Sequence, residues 1–284
     1  MALMSVWKGM LPLGAAVLMV TACQTVQTTQ SGAVGVERRQ SMLVSSREME
    51  QASAQSYHKI LQQAAEKNAL NRDRVQVERV RVVARRLIPA TGAFRPDAPG
   101  WRWEVNVLTS EELNAWCMAG GKIAFYSGII ERLQLSDDEM AAIMGHEIAH
   151  ALREHARERA SQAMVTNIGV SIVGAVLGAG QAGTNLIGQV ANVSFGLPNS
   201  REQETEADRI GVELAARAGY DPRAAIVLWQ KMAKVSNGAP PQWLSTHPSN
   251  ETRQADLQQY AARVMPFYEE ARNARPTQGS KPVK

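Results

Sequence analysis

Residues 144–150 read Met-Gly-His-Glu-Ile-Ala-His, and they place two of the chain's five histidines four positions apart. Positions i and i+4 of a helix face nearly the same direction, so His146 and His150 would project from one helix face. Two imidazoles at this spacing reach one metal ion, and Glu147, about 100° round the helix, would lie beside that ion as a base for water. The alternative is an ordinary buried helix that happens to carry histidines.

The surrounding sequence predicts a helix that holds this stretch in its interior. Ser136 followed by Glu139 forms a capping-box pattern, and the first turn carries acidic side chains that favour a helix N-terminus. No proline interrupts the helix before it has passed His150. Because the His-Glu-x-x-His pattern lies well inside a capped helix, we favour the metal site.

A catalytic zinc ion requires a third protein ligand, because such sites hold three protein groups and leave one position open. His155, nine residues after His146, would lie about 180° round the helix and is predicted to face solvent. His58 lies in a polar helical stretch and is assigned no catalytic role. Residues 200–208 offer carboxylates instead, and the residues alone leave three of them as alternatives: Glu202, Glu204 and Glu206.

The N-terminus has the pattern of a secretory signal. Lys8 precedes an apolar run over residues 10–20, which is too short for a comfortable membrane span, and small residues lead to Cys23. This ending resembles a bacterial lipoprotein box, which implies a signal peptide at residues 1–22, acylation of Cys23 and lipid anchoring in the bacterial cell envelope. By resemblance to enterobacterial lipoproteins, Gln24 in place of an aspartate after the cysteine implies the periplasmic face of the outer membrane and not retention at the inner membrane. The alternatives are an uncleaved membrane anchor and plain secretion.

The rest of the chain has the composition of one globular domain, with 45% hydrophobic and 20% charged residues. Residues 23–35 are predicted to be a flexible tether, residues 36–272 the single folded domain and residues 273–284 a disordered tail. A net charge of +4 without a basic stripe argues against nucleic-acid binding. Only Cys23 and Cys117 are present, so no intramolecular disulfide is expected.

Hydrophobic periodicity predicts an α+β domain that is mainly α. Strands are expected at 101–108 and on both sides of a Gly-Gly turn within 114–130. The apolar, glycine-rich stretch 168–197 is either a pair of packed helices or a mobile flap beside the site, and a membrane-touching or substrate-gating hairpin is the alternative. Helices are expected at 36–69, at 72–88 with Pro89 ending it, from Ser136, from about Ser200 to Gly219, at 222–235 and at 250–272.

Several motifs taken together resemble the HtpX, CAAX-prenyl-endopeptidase and Oma-type zinc metallopeptidases. In that family His-Glu-x-x-His precedes a helix with Ser-Arg-x-x-Glu-x-x-Ala-Asp, which this chain matches with Ser200, Arg201, Glu204, Ala207 and Asp208. The resemblance implies that His146, His150 and Glu204 hold one zinc ion, and that Asp208 supports a ligand histidine or an adjacent backbone group. It also implies a helical zincin-like metallopeptidase domain with a small three-stranded sheet beside the His-Glu-x-x-His helix.

Two weaker motifs extend the resemblance over roughly residues 101–253. Residues 114–121 are similar to the family's Gly-Gly hairpin, with Ala119 where a proline is common. Residues 247–249, His-Pro-Ser, together with Arg253 resemble a downstream element of the family. The sequence has no paired transmembrane spans, so the resemblance is to a soluble, lipid-anchored branch.

The resemblance implies a lipid-anchored zinc metalloendopeptidase that hydrolyses unfolded or misassembled envelope proteins. Glu147 would accept the proton of water and pass it to the leaving amine. His247, or next Arg253, would stabilise the oxyanion; alternatively His247 caps the zinc as a fourth ligand, or merely packs on Pro248. An extended substrate would pair with the edge of the sheet at Asn114, Ala115 and Trp116.

Two other functions stay open at this point. One is an envelope-assembly chaperone or binding protein with a capped, rarely active zinc site. The other is an interaction module without a metal, which stoichiometric zinc would exclude. Because the sequence contains all the catalytic groups, the peptidase is favoured.

Overall fold

The computed structural model describes residues 24–176, 198–235, 242–248 and 252–274. The predicted signal peptide, Cys23, most of the predicted tail and most of the glycine-rich stretch lie outside these residues. Within them the chain is mainly helical and carries a small three-stranded sheet, which confirms the predicted fold class. No helix among the described residues is both long enough and apolar enough to cross a membrane.

The sequence periodicity located most elements, but several of their bounds differ. The helical pattern predicted from residue 36 becomes a helix only at Ser46, and the second helix ends one residue after Pro89. The strands are β1 (Gln24–Val26), β2 (Gln40–Met42), β3 (Glu104–Leu108), β4 (Ala115–Met118) and β5 (Lys122–Tyr126). The helices are α1 (Ser46–Glu66), α2 (Arg74–Ala90), α3 (Ser127–Arg132), α4 (Asp137–Leu152), α5 (His155–Val176), α6 (Arg201–Arg217), α7 (Ala224–Val235), α8 (Gln242–Thr246) and α9 (Arg253–Asn273).

The main sheet has the strand order β3-β5-β4, so β4 lies at one edge. β3 runs parallel to β5, and β4 runs antiparallel to it. The turn between β4 and β5 requires glycine, since Gly120 and Gly121 have φ of +76° and +79° and a Cβ on Gly121 would lie 2.6 Å from the Trp103 ring. Tyr57 of α1 donates to the Ile123 carbonyl at 2.9 Å, and α4 packs against β4. The edge strand therefore lies directly beside the helix that carries the histidines.

The predicted flexible tether at residues 23–35 is wrong over the part that the structure describes. β1 and β2 form an antiparallel ribbon, and Val34 and Val36 are buried in the main hydrophobic core. Gly32 has φ of +62°, and a Cβ there would come within 2.4 Å of the Phe94 ring. Glycine in this segment therefore permits a tightly packed turn, whereas composition alone suggested a mobile linker.

Helices α4 and α6 cross in direct backbone contact because each has a glycine at the crossing point. A Cβ on Gly145 would lie 2.7 Å from the carbonyl oxygen of Gly211, and a Cβ on Gly211 would lie 2.7 Å from the backbone nitrogen of His146. Both distances are far shorter than van der Waals contact. This crossing sets the distance between the histidines of α4 and the carboxylates of α6.

The α4 helix begins as predicted but ends soon after its second histidine. Ser136 caps the helix and exchanges hydrogen bonds with Glu139 in a capping box. The helix ends at Leu152, and Glu154 has φ of +53°, a left-handed conformation that breaks the helical direction. Residues from His155 onwards belong to a new helix, so the angular position predicted for His155 does not apply.

We expect Gly211→Ala to lower the free energy of unfolding by about 1–3 kcal/mol, because the added methyl group forces α4 and α6 apart. Denaturant titration of the purified protein measures this change. Gly100→Ala is the matched control, since a Cβ at Gly100 meets no atom within 4 Å. An unchanged unfolding free energy in Gly211→Ala would contradict the close helix crossing.

Candidate metal centre

Four buried side chains converge on one point. His146 and His150 come from α4, Glu204 comes from the first turn of α6, and His247 directly follows α8. One ligand-type atom from each residue lies within 4.8 Å of the others. The Nε2 atom of His146 is 3.1 Å from Nε2 of His150 and 3.1 Å from Nδ1 of His247, and Glu204 Oε2 is 3.4 Å from it.

The chemistry of these donor atoms fits a bound metal ion. In His146 and His150 the inner nitrogen, Nε2, faces the centre, and the outer nitrogen, Nδ1, faces another group. His146 Nδ1 lies 3.0 Å from Asp208, and His150 Nδ1 lies 2.8 Å from His155. With a proton on each outer nitrogen, the inner nitrogens face one another and the Glu204 carboxylate with lone pairs. Such groups repel at these distances, and a cation bound among them removes the repulsion.

Glu204 is held ionised and in a fixed orientation. Asn199 Nδ2 donates to Oε1 at 2.8 Å, and the Arg253 guanidinium donates to Oε2 at 3.1 Å. Burial favours the neutral carboxyl, but the neighbouring imidazoles, foremost His247, hold the pKa of Glu204 well below its usual range. An ionised carboxylate is the form that binds a metal. Asn199 was not identified from the sequence, where nothing but its place before the Ser-Arg motif distinguishes it.

The two other acidic residues considered as the third ligand turn away from the histidine pair. Glu202 is exposed and accepts a hydrogen bond from Ser200 Oγ at 3.2 Å. Glu206 is buried, but its Oε2 atom lies 2.9 Å from Nε2 of His155. Of the three alternatives that the residues alone left open, the structure places only Glu204 at the centre.

Asp208 lies one helical turn after Glu204 and contacts the outer nitrogen of His146. Arg253, the first residue of α9, donates to Asp208 Oδ1 at 2.7 Å as well as to Glu204, and its guanidinium lies 3.5 Å from the Trp229 ring centroid. Arg253 is therefore bound to the carboxylates behind the centre and does not line the cleft. This position does not suit the predicted role of Arg253 as an oxyanion donor, and it suits a role in holding Glu204 and Asp208.

Glu147 is buried beside the centre, and one side chain fixes its orientation. Trp243 Nε1 donates to Glu147 Oε1 at 2.7 Å, and His247 Nε2 lies 3.4 Å from the same oxygen. Trp243 was not identified from the sequence, where its only signal is its place four residues before His247. In the structure Trp243 lies in α8 and His247 directly follows it, so this short helix brings both to Glu147.

The prediction that His155 faces solvent is wrong, because the side chain is fully buried. Its ring turns back towards α4, with Nδ1 next to His150 and Nε2 next to Glu206. Burial lowers the pKa of His155 to about 4 and outweighs the effect of Glu206, so the ring is neutral near pH 7. Burial also opposes the charge on Glu206, but hydrogen bonds from His155 and Arg38 lower the pKa of Glu206 to about 2.

A cleft of about 800 Å³ opens beside the centre. Glu147, His150 and His247 line one part of it, and the edge strand β4 lines another. Ala115 and Trp116 are largely buried, so these residues form the floor of the cleft and present little surface to it. The residues predicted to bind substrate all line this cleft: Asn114, Ala115 and Trp116.

The fold and the centre together define a metallopeptidase of the His-Glu-x-x-His class. The profile of Peptidase family M48 matches residues 75–261, which include the edge strand, both metal-site helices and α8. The chain therefore belongs to peptidase family M48, a family of metallopeptidases.

Curated relatives include mitochondrial and bacterial proteins. The mitochondrial metalloendopeptidase OMA1 of Arabidopsis thaliana is 37% identical over 166 residues, covering 58% of this chain and 33% of the plant protein. The mitochondrial metalloendopeptidase OMA1 of Bos taurus is 34% identical over 202 residues, covering 66% of this chain and 38% of the bovine protein. The beta-barrel assembly-enhancing protease of Escherichia coli (strain K12) is 31% identical over 171 residues, covering 57% of this chain and 35% of the bacterial protein. The chain thus spans between 33% and 38% of the length of these relatives.

We expect Asp208→Ala to weaken metal affinity by about 10- to 100-fold, because His146 loses the acceptor that orients its ring. Asp208→Asn retains an oxygen acceptor and should lose less. Competition with a chromophoric chelator measures the affinity. Asp137→Ala is the control, since that side chain is 55% exposed and pairs only with Arg79 among the described salt bridges. Equal affinity in Asp208→Ala and the control would contradict the assignment.

Proposed function

We propose that this protein is a zinc metalloendopeptidase that hydrolyses unfolded or misassembled polypeptides of the bacterial cell envelope, where a lipid on Cys23 anchors it. The observation that carries the proposal is the convergence of His146, His150 and Glu204 next to the Glu147 carboxylate, at the wall of an open cleft. Two imidazoles and a carboxylate from one helix pair are the ligands that a hydrolytic zinc site uses.

Zinc is proposed because of the donor atoms and their spacing. Atoms bonded to zinc at about 2.0–2.1 Å in a tetrahedron lie roughly 3.3–3.4 Å apart. The Nε2 atoms of His146 and His150 are 3.1 Å apart, and they lie 3.4 and 3.3 Å from the Glu204 oxygens. Bound zinc would lower the pKa of water to about 7 and polarise the scissile carbonyl.

Glu147 is proposed to move the proton during hydrolysis. Its carboxylate takes the proton from the attacking water and delivers it to the leaving amine. The hydrogen bond from Trp243 to Oε1 holds the carboxylate in one orientation while its charge changes. Hydrogen bonds from Asn199 and Arg253 hold the Glu204 carboxylate in place throughout.

The backbone of the edge strand is proposed to bind substrate. The Tyr126 amide donates to the Asn114 carbonyl at 3.0 Å, so in the alternating pattern of antiparallel pairs Trp116 also faces β5. Cys117 then turns its backbone groups away from β5, on the side where an added strand pairs, whereas the Ala115 amide on that side already donates to Asn114 Oδ1 at 2.9 Å. Main-chain pairing reads an extended backbone and little side-chain identity, which suits an unfolded substrate.

Two features support the envelope as the location. The N-terminal pattern ending at Cys23 resembles a bacterial lipoprotein signal. One of the relatives is named for the assembly of beta-barrels, although others are named as mitochondrial. The location therefore rests mainly on the N-terminal pattern of this chain.

We expect Glu147→Gln to lower the hydrolysis rate of unfolded casein by about 10²- to 10⁴-fold, because glutamine cannot accept the proton of water. Zinc should still bind stoichiometrically, because Glu147 is not among the side chains that could hold the ion, and the glutamine oxygen can still accept from Trp243. A peptide-release assay and metal analysis of the same sample give both results. Glu66→Gln, an exposed change on α1, should retain full activity. Undiminished cleavage by Glu147→Gln would refute the assignment of the base.

A second candidate function is supported by the position of His247. Its Nδ1 atom lies 2.9 Å from Glu204 Oε1 and 3.1 Å from His146 Nε2, inside the ligand cluster. In that position His247 is a fourth ligand that fills the place which water needs. The protein would then be an envelope-assembly chaperone or binding protein whose centre rarely cleaves.

We expect His247→Ala to raise casein hydrolysis, by up to about 10-fold if the uncapped form is normally populated at about 10%. The reason is that the variant leaves the fourth position open to water. The same peptide-release assay measures it, and His58→Ala, a change at an exposed histidine on α1, is the control. Loss of activity with zinc retained would instead favour His247 as an oxyanion donor.

A further inference from the structure

A chain of buried polar groups leads away from the second histidine of the His-Glu-x-x-His pattern. His150 Nδ1 lies 2.8 Å from Nδ1 of His155, and His155 Nε2 lies 2.9 Å from Oε2 of Glu206. His155 is fully buried and Glu206 nearly so. Neither residue lines the cleft, so neither is placed to touch a substrate there.

The charges around Glu206 fix the proton positions along this chain. Its carboxylate also accepts from Arg153 Nε at 3.0 Å and from Arg38 Nε at 2.7 Å, so it acts as an ionised acceptor. Nε2 of His155 must therefore carry a proton and donate it. In a neutral ring Nδ1 is then an acceptor, and Nδ1 of His150 must be the donor. This leaves Nε2 of His150 with a lone pair directed at the ligand cluster.

The opposite arrangement would disable His150 as a ligand. If His155 presented an N–H group to His150, Nδ1 of His150 would have to accept. The neutral His150 ring would then carry its proton on Nε2, the atom that lies 3.3 Å from Glu204. A protonated Nε2 cannot bind a metal.

One of the two arginines that bind Glu206 comes from residues 24–45, which precede α1 and are called here the N-terminal segment. Arg38, which precedes β2, also binds Glu158 of α5 through two nitrogens at 2.5 and 2.9 Å. The Arg38 carbonyl accepts from Arg153 at 2.8 Å, and Gln40 donates to the Arg153 carbonyl at 2.7 Å. Arg38 and Gln40 lie outside residues 75–261, which the family profile matches.

We propose that His155 and Glu206 are positioning residues that direct the Nε2 lone pair of His150 at the metal, and that Arg38 couples the docked N-terminal segment to this function. The inference rests on the proposed zinc centre. Each helical ligand histidine then has its own carboxylate behind it. Asp208 contacts His146 directly, whereas Glu206 reaches His150 through His155.

The test measures zinc affinity by chelator competition on the full chain, with variants at each link. His155→Leu removes the acceptor for His150 and should weaken zinc binding by about 10- to 100-fold. His155→Asn retains an oxygen acceptor near the Nδ1 position and should recover part of the loss. Glu206→Gln should weaken binding because it removes the charge that fixes the His155 proton. His58→Leu, on the surface of α1, should leave the affinity unchanged.

The N-terminal link is tested with a matched pair of neighbouring arginines. Arg38→Met should weaken zinc binding, though less than His155→Leu, because Arg153 still pairs with Glu206. Arg39→Met should have no effect, since Arg39 is exposed and donates to the Thr25 carbonyl. Equal affinities in the Arg38 and Arg39 variants would overturn the coupling to the N-terminal segment.

A spectroscopic readout separates positioning from general destabilisation. The visible absorption of the cobalt(II)-loaded protein should change in His155→Leu and be partly restored in His155→Asn, because it reports the ligands themselves. Thermal unfolding of the metal-free proteins shows whether each variant folds. If His155→Leu does not fold, Glu206→Gln serves as the test, because glutamine keeps the shape of the glutamate side chain. Folded variants with wild-type affinity and spectrum would overturn the inference. Absence of zinc binding by the wild-type chain would instead refute the proposed zinc centre itself.

Discussion

The metal centre depends on the distance between two helix backbones. Ligands from α4 and α6 meet at one ion only if the helices touch, and Gly145 and Gly211 remove the side chains that would keep them apart. Metal–ligand distances tolerate shifts of about 0.2 Å, which is far less than the displacement that a methyl group at this crossing would cause. The two glycines therefore do as much to define the centre as the groups that face the ion.

Three acidic residues within five positions of α6 have three different surroundings. Glu204 faces the histidine cluster, Glu206 faces His155, and Asp208 contacts His146 and Arg253. Each is paired with nitrogen donors, as a carboxylate in a low-dielectric interior requires. Helix α6 thus carries the ligand Glu204 and also the two carboxylates that support His146 and His150.

Local patterns predicted the parts of this protein that local physics determines. The capping box at Ser136, the position of the histidines on one helix face and the hairpin at Gly120 follow from spacing and backbone preference alone. The selection of Glu204 over Glu202 and Glu206 needed the family motif, because helical spacing does not say which face meets a helix that is distant in the sequence. The structure then placed Glu204 with the histidines.

The sequence predictions that differ from the structure concern features that depend on tertiary contacts. The left-handed conformation of Glu154 ends α4 and redirects His155 into the interior, and no residue type in that turn predicts the break. Residues 23–35 looked mobile because they are small and polar, yet β1 pairs with β2 and Val34 is buried in the core. Arg253 matched a motif, but only the packing of α9 shows that it lies behind the carboxylates.

Trp243 lies in α8 and His247 directly follows that helix, and the His247 amide donates a backbone hydrogen bond to the Trp243 carbonyl at 2.9 Å. The two rings also pack against each other, with centroids 4.9 Å apart. A shift of this backbone segment that withdrew the imidazole from the ligand cluster would therefore also move the indole that donates to Glu147. One short backbone segment thus carries both the imidazole inside the ligand cluster and the indole that orients the Glu147 carboxylate.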